Sequence, residues 1–255
     1  MAKETSYPPL TLFLASCLLM TGGWLMASFP IFIFMGLAPL FALTDRATGT
    51  ASIWEKMEWV LMALSLSFLA ARLFDLTHLV SSIAFGILFT LPFIGYVWVK
   101  QTLGPRVGKV SIVLFWLALE YLLLKVYPSH SPFLADALRL EPAWTRWNIH
   151  TGYLGASTWI LLANLMVYYA ILSRNPFRWH WILLAVIFIM SPFISYYFFK
   201  STTITRTDML NLYSENLTTT NVMYLARGEF IVRTAAWIST LILLFTLIKS
   251  QTTKA

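Results

Sequence analysis

The sequence predicts an all-α, polytopic transmembrane helix bundle of about eight spans that occupies residues 1–255 as a single domain. Three observations predict this class. Apolar residues form 58% of the chain and charged residues 11%, whereas a soluble domain carries about 25% charged residues. Long apolar windows recur from one end to the other, and the single cysteine, Cys17, leaves no partner for an internal disulfide. Water-soluble enzymes, disordered chains and disulfide-stapled secreted domains are therefore excluded.

Eight apolar windows carry the helix prediction, because a helix needs about 20 mostly apolar residues to cross the hydrocarbon core. In chain order they cover residues 10–27, 31–44, 59–76, 79–99, 111–127, 157–172, 179–199 and 230–248. The second window is the shortest and contains Pro39, with Pro30 just before it. We therefore expect a tilted or broken helix there, packed tightly against the first.

The basic residues predict the orientation of these spans. Ten of the 18 Lys and Arg residues lie in segments that share one side of the membrane with both termini. These ten are Lys3, Arg46, Lys56, Lys100, Arg106, Lys109, Arg174, Arg178, Lys249 and Lys254. The positive-inside rule then predicts cytoplasmic termini, and it accounts for the net charge of +7 without a nucleic-acid partner.

Two longer segments face outward in this orientation, residues 127–156 and residues 200–229. Each has about 30 residues, which is below the size at which a domain usually builds its own core. We expect neither segment to form an independent catalytic domain.

The sequence lacks common catalytic motifs of hydrolases, metalloproteases and nucleotide-binding enzymes. The chain lacks G-x-S-x-G, H-E-x-x-H and Walker loop patterns, and Cys17 lies inside the first span with no base beside it. His130 and His150 share a predicted loop with Asp136 and Glu141, but without the spacing of a zinc site. The sequence therefore predicts no catalytic residue, no metal and no cofactor.

Polar residues inside the spans are more informative, since they are expensive in lipid and mark function or pairing. Glu120 lies in the fifth window. Four roles are open for it: a proton relay, an ion site, an anchor that organises an outward cavity, or a structural acid hydrogen-bonded to another helix. Asn164 in the sixth window predicts a hydrogen bond across helices.

Two charged pairs have the spacing of neighbours on a helix face. Arg72 and Asp75 are three residues apart, and Glu229 and Arg233 are four apart. Opposite charges at these spacings neutralise one another, so we expect structural pairs rather than a substrate site.

A family resemblance is carried by the fifth and sixth windows and the segment between them. Trp116, Glu120 and Tyr121 are followed by EPAWTRWNIHTGYLGASTW at 141–159 and then by Asn164. This order resembles the membrane domain of bacterial apolipoprotein N-acyltransferase. The resemblance extends to ASFP at 27–30, Pro192, and RGEFIVRT at 227–234. It implies a multi-pass protein of the bacterial inner membrane that works on phospholipid and lipoprotein acyl chains.

The chain departs from that family where the chemistry would be. The family inserts a nitrilase-like catalytic domain with a Glu-Lys-Cys triad between its seventh and eighth spans. Here the corresponding segment is 200–229, which has no cysteine and only Lys200 as a lysine. The Arg usually found shortly after the family's fifth-span Glu is also missing, since Leu123, Leu124 and then Lys125 stand there. The resemblance therefore implies the fold but not an acyltransferase triad on this chain.

Three functions remain open. The leading hypothesis is a lipid-binding or lipoprotein-binding membrane protein without its own triad, in which Trp144, Trp147, Tyr153 and Trp159 line a cavity entrance above Glu120. The second is the membrane subunit of a split lipoprotein N-acyltransferase that acts with a separate nitrilase-type chain. The third is a small proton-coupled transporter that uses Glu120.

Overall fold

The computed structural model describes residues 7–26, 30–46, 50–127, 131–138, 142–145, 147–173, 178–198 and 219–252, and these residues contain helices and no strand. In chain order the α-helices are α1 (Pro9–Leu25), α2 (Ile33–Gly36), α3 (Ala38–Asp45), α4 (Thr50–Ala71), α5 (Leu79–Leu103), α6 (Pro105–Val126), α7 (Pro142–Thr145), α8 (Asn148–Thr151), α9 (Tyr153–Val167), α10 (Trp179–Phe198) and α11 (Thr219–Thr252). Short 3₁₀-helices cover Pro30–Phe32, Leu76–His78 and Leu134–Leu138, and a π-helical turn at Tyr168–Leu172 extends α9. The predicted all-helical class is confirmed.

Within the described residues, five helical segments are long and apolar enough to cross a membrane. They are Leu76–Leu103, Pro105–Val126, Tyr153–Leu172, Trp179–Phe198 and Phe230–Thr252. Pro9–Leu25 and Pro30–Asp45 are apolar but shorter, and α4 carries Glu55, Lys56 and Glu58 near its start. By length and composition, five of the eight predicted windows therefore qualify as membrane spans.

The second predicted window is a broken helix packed closely on α1. Helix α2 ends at Gly36, and α3 begins at Ala38 with Pro39 in its first turn, where a proline's missing N–H costs nothing. A Cβ on Gly23 would lie 2.7 Å from the backbone nitrogen of Ile33, so α1 and α2 meet backbone to backbone. The Ser16 hydroxyl also donates to the Gly36 carbonyl at 2.6 Å.

The core of the bundle lies where α4, α5 and α6 pack together. Trp116 is fully buried, and its ring centroid lies 4.6 Å from that of Phe89 and 6.2 Å from that of Phe93. The ring centroid of Phe68 on α4 lies 5.1 Å from that of Phe89 on α5. Aromatic rings of this size supply much of the packing between helices in lipid, where water exclusion between helices contributes little.

Two turns differ from the predicted boundaries. Helix α4 ends at Ala71, and Leu73 and Phe74 adopt left-handed backbone angles, so the window does not continue helically to residue 76. At the other end of α5, Gly104 has a φ of 97° and reverses the chain in one residue before Pro105 begins α6. A left-handed angle suits glycine, which carries no Cβ.

The last helix begins earlier than the sequence predicts. Helix α11 starts at Thr219, whereas the predicted window starts at residue 230, so the end of the predicted loop 200–229 is helical. The rest of that loop lies outside the described residues.

Candidate functional site

The predicted outer loop 127–156 is not a solvated loop over its described residues. Residues 131 and 133–138 are almost fully buried, and Leu134–Leu138 form a short 3₁₀-helix between α6 and α9. Glu120 holds the start of this helix, because its Oε1 accepts the Leu134 N–H at 2.9 Å and the Trp116 indole N–H at 3.1 Å. Helix α6 and the loop that follows it are therefore joined through one carboxylate.

A second set of hydrogen bonds joins the same segment to α9. Asp136 Oδ2 accepts the Phe133 N–H at 3.0 Å, and Tyr153 donates its hydroxyl hydrogen to Asp136 Oδ1. The Ala135 N–H donates to Ser157 Oγ at 3.1 Å. Acceptors on α6, on α9 and within the segment itself thus satisfy the N–H groups of Phe133, Leu134 and Ala135, as buried backbone donors require. We call the segment 131–138 the buried loop.

Glu120 has an unusual environment for a carboxylate. It is completely buried, and the Ser157 hydroxyl lies beside it in addition to Leu134 and Trp116. Its hydrogen bonds within the described part of the chain come from neutral donors, and Oε2 makes none there. Through these contacts the carboxylate can position a backbone segment, and the four predicted roles of Glu120 stay predictions.

Trp144 packs inside the bundle. It is 5% exposed, and its ring lies between Phe34 of α2 and Phe193 of α10 at centroid distances of 5.4 Å and 5.6 Å. Tyr153 is 3% exposed and is held by Asp136. Both side chains connect the predicted loop to its neighbours.

Trp147 and Trp159 form a second aromatic contact with α10. The two rings meet edge to face at 4.3 Å, and Trp159 stacks on Phe188 at 4.2 Å. The Trp147 indole N–H donates to Ser195 Oγ at 3.1 Å, whereas Trp159 Nε1 is buried without a hydrogen-bond partner in the described residues. The predicted role of these four aromatic residues in lipid binding stays a prediction.

Asn164 bridges the break between α2 and α3. Its side-chain oxygen accepts the N–H groups of Leu37 at 2.7 Å and Ala38 at 3.0 Å. Its amide nitrogen donates to the carbonyls of Ile33 at 2.9 Å and Ile160 at 2.8 Å. One side chain on α9 thus satisfies the backbone groups that the break leaves open in an apolar environment.

The predicted charged pairs have different outcomes. Arg72 and Asp75 lie in the turn after α4 rather than on one helix face, because the helix ends at Ala71. Asp75 instead accepts from the Thr77 N–H at 2.9 Å and caps the next short helix. Arg233 lies on α11, but the Glu229 side chain is outside the described side chains, so that pair stays a prediction.

Two apolar cavities flank α11 where it packs against α6. Each cavity is lined by α6, α11 and a third helix, after which we name it. The α9 cavity has a volume of about 370 Å³ and the α5 cavity about 420 Å³. The α9 cavity is lined by Val110, Val113, Leu114, Leu117, Thr158, Leu162, Leu165, Phe230, Ile231, Thr234, Ala235 and Ile238. The α5 cavity is lined by Leu91, Pro92, Gly95, Phe115, Ala118, Leu119, Tyr121, Leu122, Lys125, Ala236, Ser239, Thr240 and Leu243.

The linings of the two cavities contain few polar groups, and some of these groups bond within their own helix instead of facing the cavity. Ser239 and Thr240 donate their hydroxyl hydrogens to carbonyls of their own helix at 2.7 Å and 3.0 Å. Lys125 Nζ lies 5.5 Å from the centroid of the Tyr121 ring at the end of α6. The cavities therefore suit hydrocarbon, and the α5 cavity has one cationic lining residue.

Sequence reasoning missed a polar centre at the opposite end of the bundle. Asp45 accepts the hydroxyl hydrogens of Tyr96 at 2.7 Å and Tyr168 at 2.8 Å, and its Oδ1 lies 3.1 Å from Lys100 Nζ. A buried tyrosine hydroxyl needs a partner, so Tyr96 and Tyr168 within apolar windows were the available signal.

Metal ligands and known relatives give no further assignment. Among the described residues, no three His, Cys, Asp or Glu side chains converge as a metal site requires, and His130 and Glu141 lie outside those residues. Scans against protein-family models, curated proteins and solved structures gave no match to this chain. The geometry of the site and the resemblance in the sequence are therefore the remaining indications of function.

Proposed function

We propose that this chain is a multi-pass protein of the bacterial inner membrane, with eight membrane-crossing segments, that binds acyl chains of phospholipids or lipoproteins beside its last helix. The observation that carries the proposal is the pair of apolar cavities between α11 and the α5, α6 and α9 helices. In the most apolar window of Phe230–Thr252 only 22% of residues are buried, which leaves most of this helix surface available to lipid.

The affinity of such a site has to come from shape and from the lipid's polar end. A lipid tail already lies in hydrocarbon, so moving it into a cavity releases little hydrophobic free energy. Close packing against a fixed wall and contacts to the headgroup or ester oxygens supply the rest. Lys125 and Tyr121 line the α5 cavity beyond the apolar residues and are suited to that polar contact.

The buried loop and its aromatic neighbours give the cavities a rigid wall. Tyr121, next to the loop anchor Glu120, lines the α5 cavity, and Thr158, next to Trp159, lines the α9 cavity. Trp144 and Trp159 contact α10 through Phe193 and Phe188, and Trp147 packs against Trp159. In this proposal they preserve the cavity walls.

The resemblance to the membrane domain of apolipoprotein N-acyltransferase supports acyl chains as the ligand. The segment 200–229 offers no cysteine for a thioester, which favours binding without catalysis by this chain alone. A separate nitrilase-type chain docked on the outer face is the alternative. Co-purification of such a chain with the tagged protein would favour the split enzyme.

The proposal is tested by photo-crosslinking with a phospholipid that carries a diazirine in its acyl chain. Thr234→Trp fills the α9 cavity and Ala236→Trp fills the α5 cavity, while Leu244→Trp on a lipid-exposed face of the same helix is the matched control. We expect crosslinks on the lining residues of α6 and α11, reduced several-fold only in the first two variants. Crosslinks spread evenly over exposed helix faces and unchanged by either variant would refute the proposal.

The proposed topology has its own test. Reporter tags at both termini should be inaccessible from outside intact cells, because the positive-inside rule places them in the cytoplasm. A tag labelled by a membrane-impermeant reagent at either terminus would reverse the orientation.

A further inference from the structure

Four cations converge at the end of the bundle opposite the buried loop. They come from the end of α3, the start of α4, the end of α5 and the start of α6, and we call them the basic cluster: Arg46, Lys56, Lys100 and Lys109. The reversal at Gly104 brings α5 and α6 so close that a Cβ on Gly108 would lie 2.9 Å from Lys100 Cβ. Residues that are widely separated in sequence therefore share one small region.

The acid in this region is already fully engaged. Asp45 accepts from Tyr96 through one carboxylate oxygen and from Tyr168 through the other. Lys100 pairs with the same carboxylate at 3.1 Å and donates to the Asp45 carbonyl. Asp45 thus balances Lys100 and leaves the remaining cations to other partners.

Lys56 lies near two other cations, Arg46 and Lys100, and one acid, Glu55. Its ammonium group donates to the Arg46 carbonyl at 3.0 Å and to Ser52 Oγ at 2.6 Å, which are both neutral acceptors. Arg46 and Lys100 are close enough to repel it, and the acid that acts on it is the exposed Glu55. A half-buried ammonium group held in this position favours an incoming anion.

Lys109 adds a fourth positive charge from the far side of Asp45. Its ammonium nitrogen lies 5.2 Å from the centroid of the Tyr168 ring and 4.9 Å from that of Tyr169. These rings orient the cation, and Tyr168 links it to Asp45. In the described part of the chain, these contacts place two acids, Asp45 and Glu55, beside the four cations.

We propose that the basic cluster binds a phosphate group, supplied by the headgroup of an anionic phospholipid in the adjoining leaflet. Lys100 lies near the end of the span Leu76–Leu103 and Lys109 near the start of the next span, which is the depth of lipid phosphates. Lysines between helix ends are the usual partners of anionic headgroups. This inference is independent of acyl-chain binding in the cavities beside α11.

The test uses the full-length protein in nanodiscs titrated with fluorescent phosphatidylglycerol, with phosphatidylcholine as the neutral lipid. Lys56→Gln and Arg46→Gln each remove one cluster charge without orphaning Asp45, and Lys249→Gln removes one charge at the end of α11 as the matched control. We expect tighter binding of phosphatidylglycerol in the wild type, a loss of about tenfold or more in the Lys56→Gln/Arg46→Gln double variant, and no change in the control.

The remaining outcomes decide between sources and mechanisms. Competition by millimolar inorganic phosphate, lost in the same double variant, would keep the phosphate site but assign it to a soluble ligand. Equal weakening by Lys249→Gln and by the cluster variants would show general charge attraction and overturn the proposal. Wild-type binding that does not distinguish the two lipids would overturn it as well. Thermal unfolding of each single variant shows whether one of them is misfolded, in which case the other is used.

Discussion

Each end of the bundle contains a carboxylate away from bulk water, and the two carboxylates differ in their hydrogen-bond and charge partners. At the loop end, Glu120 accepts from a backbone N–H and an indole N–H, with no cation among its contacts in the described part of the chain. At the basic end, Asp45 has two tyrosine hydroxyls and Lys100. Glu120 lies eleven residues along α6 from Lys109, which is about 16 Å of helix.

The difference separates two uses of an acid in a membrane protein. When the donors are neutral groups of a chain segment, the carboxylate fixes the position of that segment through the hydrogen bonds it accepts. A cationic partner makes the carboxylate part of a charge arrangement, in which its removal changes what the remaining cations attract. Each end should therefore respond to a different kind of substitution: the loop end to loss of an acceptor, the basic end to loss of charge.

The largest expected effect comes from Glu120→Leu. This change leaves the Leu134 N–H and the Trp116 indole N–H buried without an acceptor, and each such group costs about 1–3 kcal/mol. Glu120→Gln keeps an oxygen in place and should cost much less. Thermal unfolding in detergent measures both, and proteolysis of the segment 131–138 should accelerate only in the leucine variant.

The same pair of variants tests the transporter hypothesis. If Glu120→Gln is as damaging as Glu120→Leu, the negative charge matters and the anchor explanation is wrong. If Glu120→Gln folds normally but abolishes a pH-dependent flux in liposomes, the proton-coupled transporter becomes the better account.

The next effect is expected at the basic end from Asp45→Asn. It removes the counter-charge of Lys100 and leaves that ammonium group facing Arg46 and Lys56, with a loss of about 1–3 kcal/mol for a hydrogen-bonded charge. Adding Lys100→Gln should restore part of the loss, with a coupling of roughly 1 kcal/mol in a double-mutant cycle. Pairing Asp45→Asn with Lys249→Gln instead should give additive effects, and coupling there would point to long-range charge rather than a local pair.

Matched tyrosine substitutions compare the two ends directly. Tyr168→Phe removes one donor from Asp45, and Tyr153→Phe removes one donor from Asp136 beside the buried loop. Each should cost about 1 kcal/mol, since an acid with other donors loses only one hydrogen bond. Tyr153→Phe should also increase hydrogen exchange in the buried loop, whereas Tyr168→Phe should leave that exchange unchanged. Faster loop exchange in both variants would mean that the two ends are coupled.

Hydropathy predicts the positions of the helices because it is a local property of the sequence. It does not predict contacts between residues that are distant in sequence. The windows overlap α5, α6, α9 and α10. Nothing local predicts that residues 131–138 are buried, because the segment is too short for a span and its position depends on Glu120. Asp45 bonds to side chains 51 and 123 residues away.

Asn164 shows where the limit lies. A polar side chain inside an apolar window must find a partner in lipid, so a cross-helix hydrogen bond was predictable from its type. That its partners are the N–H groups at the α2–α3 break, 126 and 127 residues earlier, follows only from the fold. The cavities beside α11 are likewise products of helix packing, because their lining residues look like any other apolar residues in sequence.

The smallest expected effect distinguishes two neighbouring indoles at the loop end. Trp147→Phe loses the hydrogen bond to Ser195, worth about 0.5–1.5 kcal/mol, whereas Trp159→Phe removes a buried N–H that has no hydrogen-bond partner in the described residues. Both changes shrink an indole to a benzyl ring, so their common packing loss cancels in the comparison. Trp147→Phe should therefore be the more destabilising in thermal unfolding, and Ser195→Ala should reproduce its hydrogen-bond part. If Trp159→Phe is the more damaging, its indole N–H has an acceptor in the folded protein, and a lipid carbonyl oxygen at the neighbouring α9 cavity becomes the candidate to test by the same crosslinking experiment.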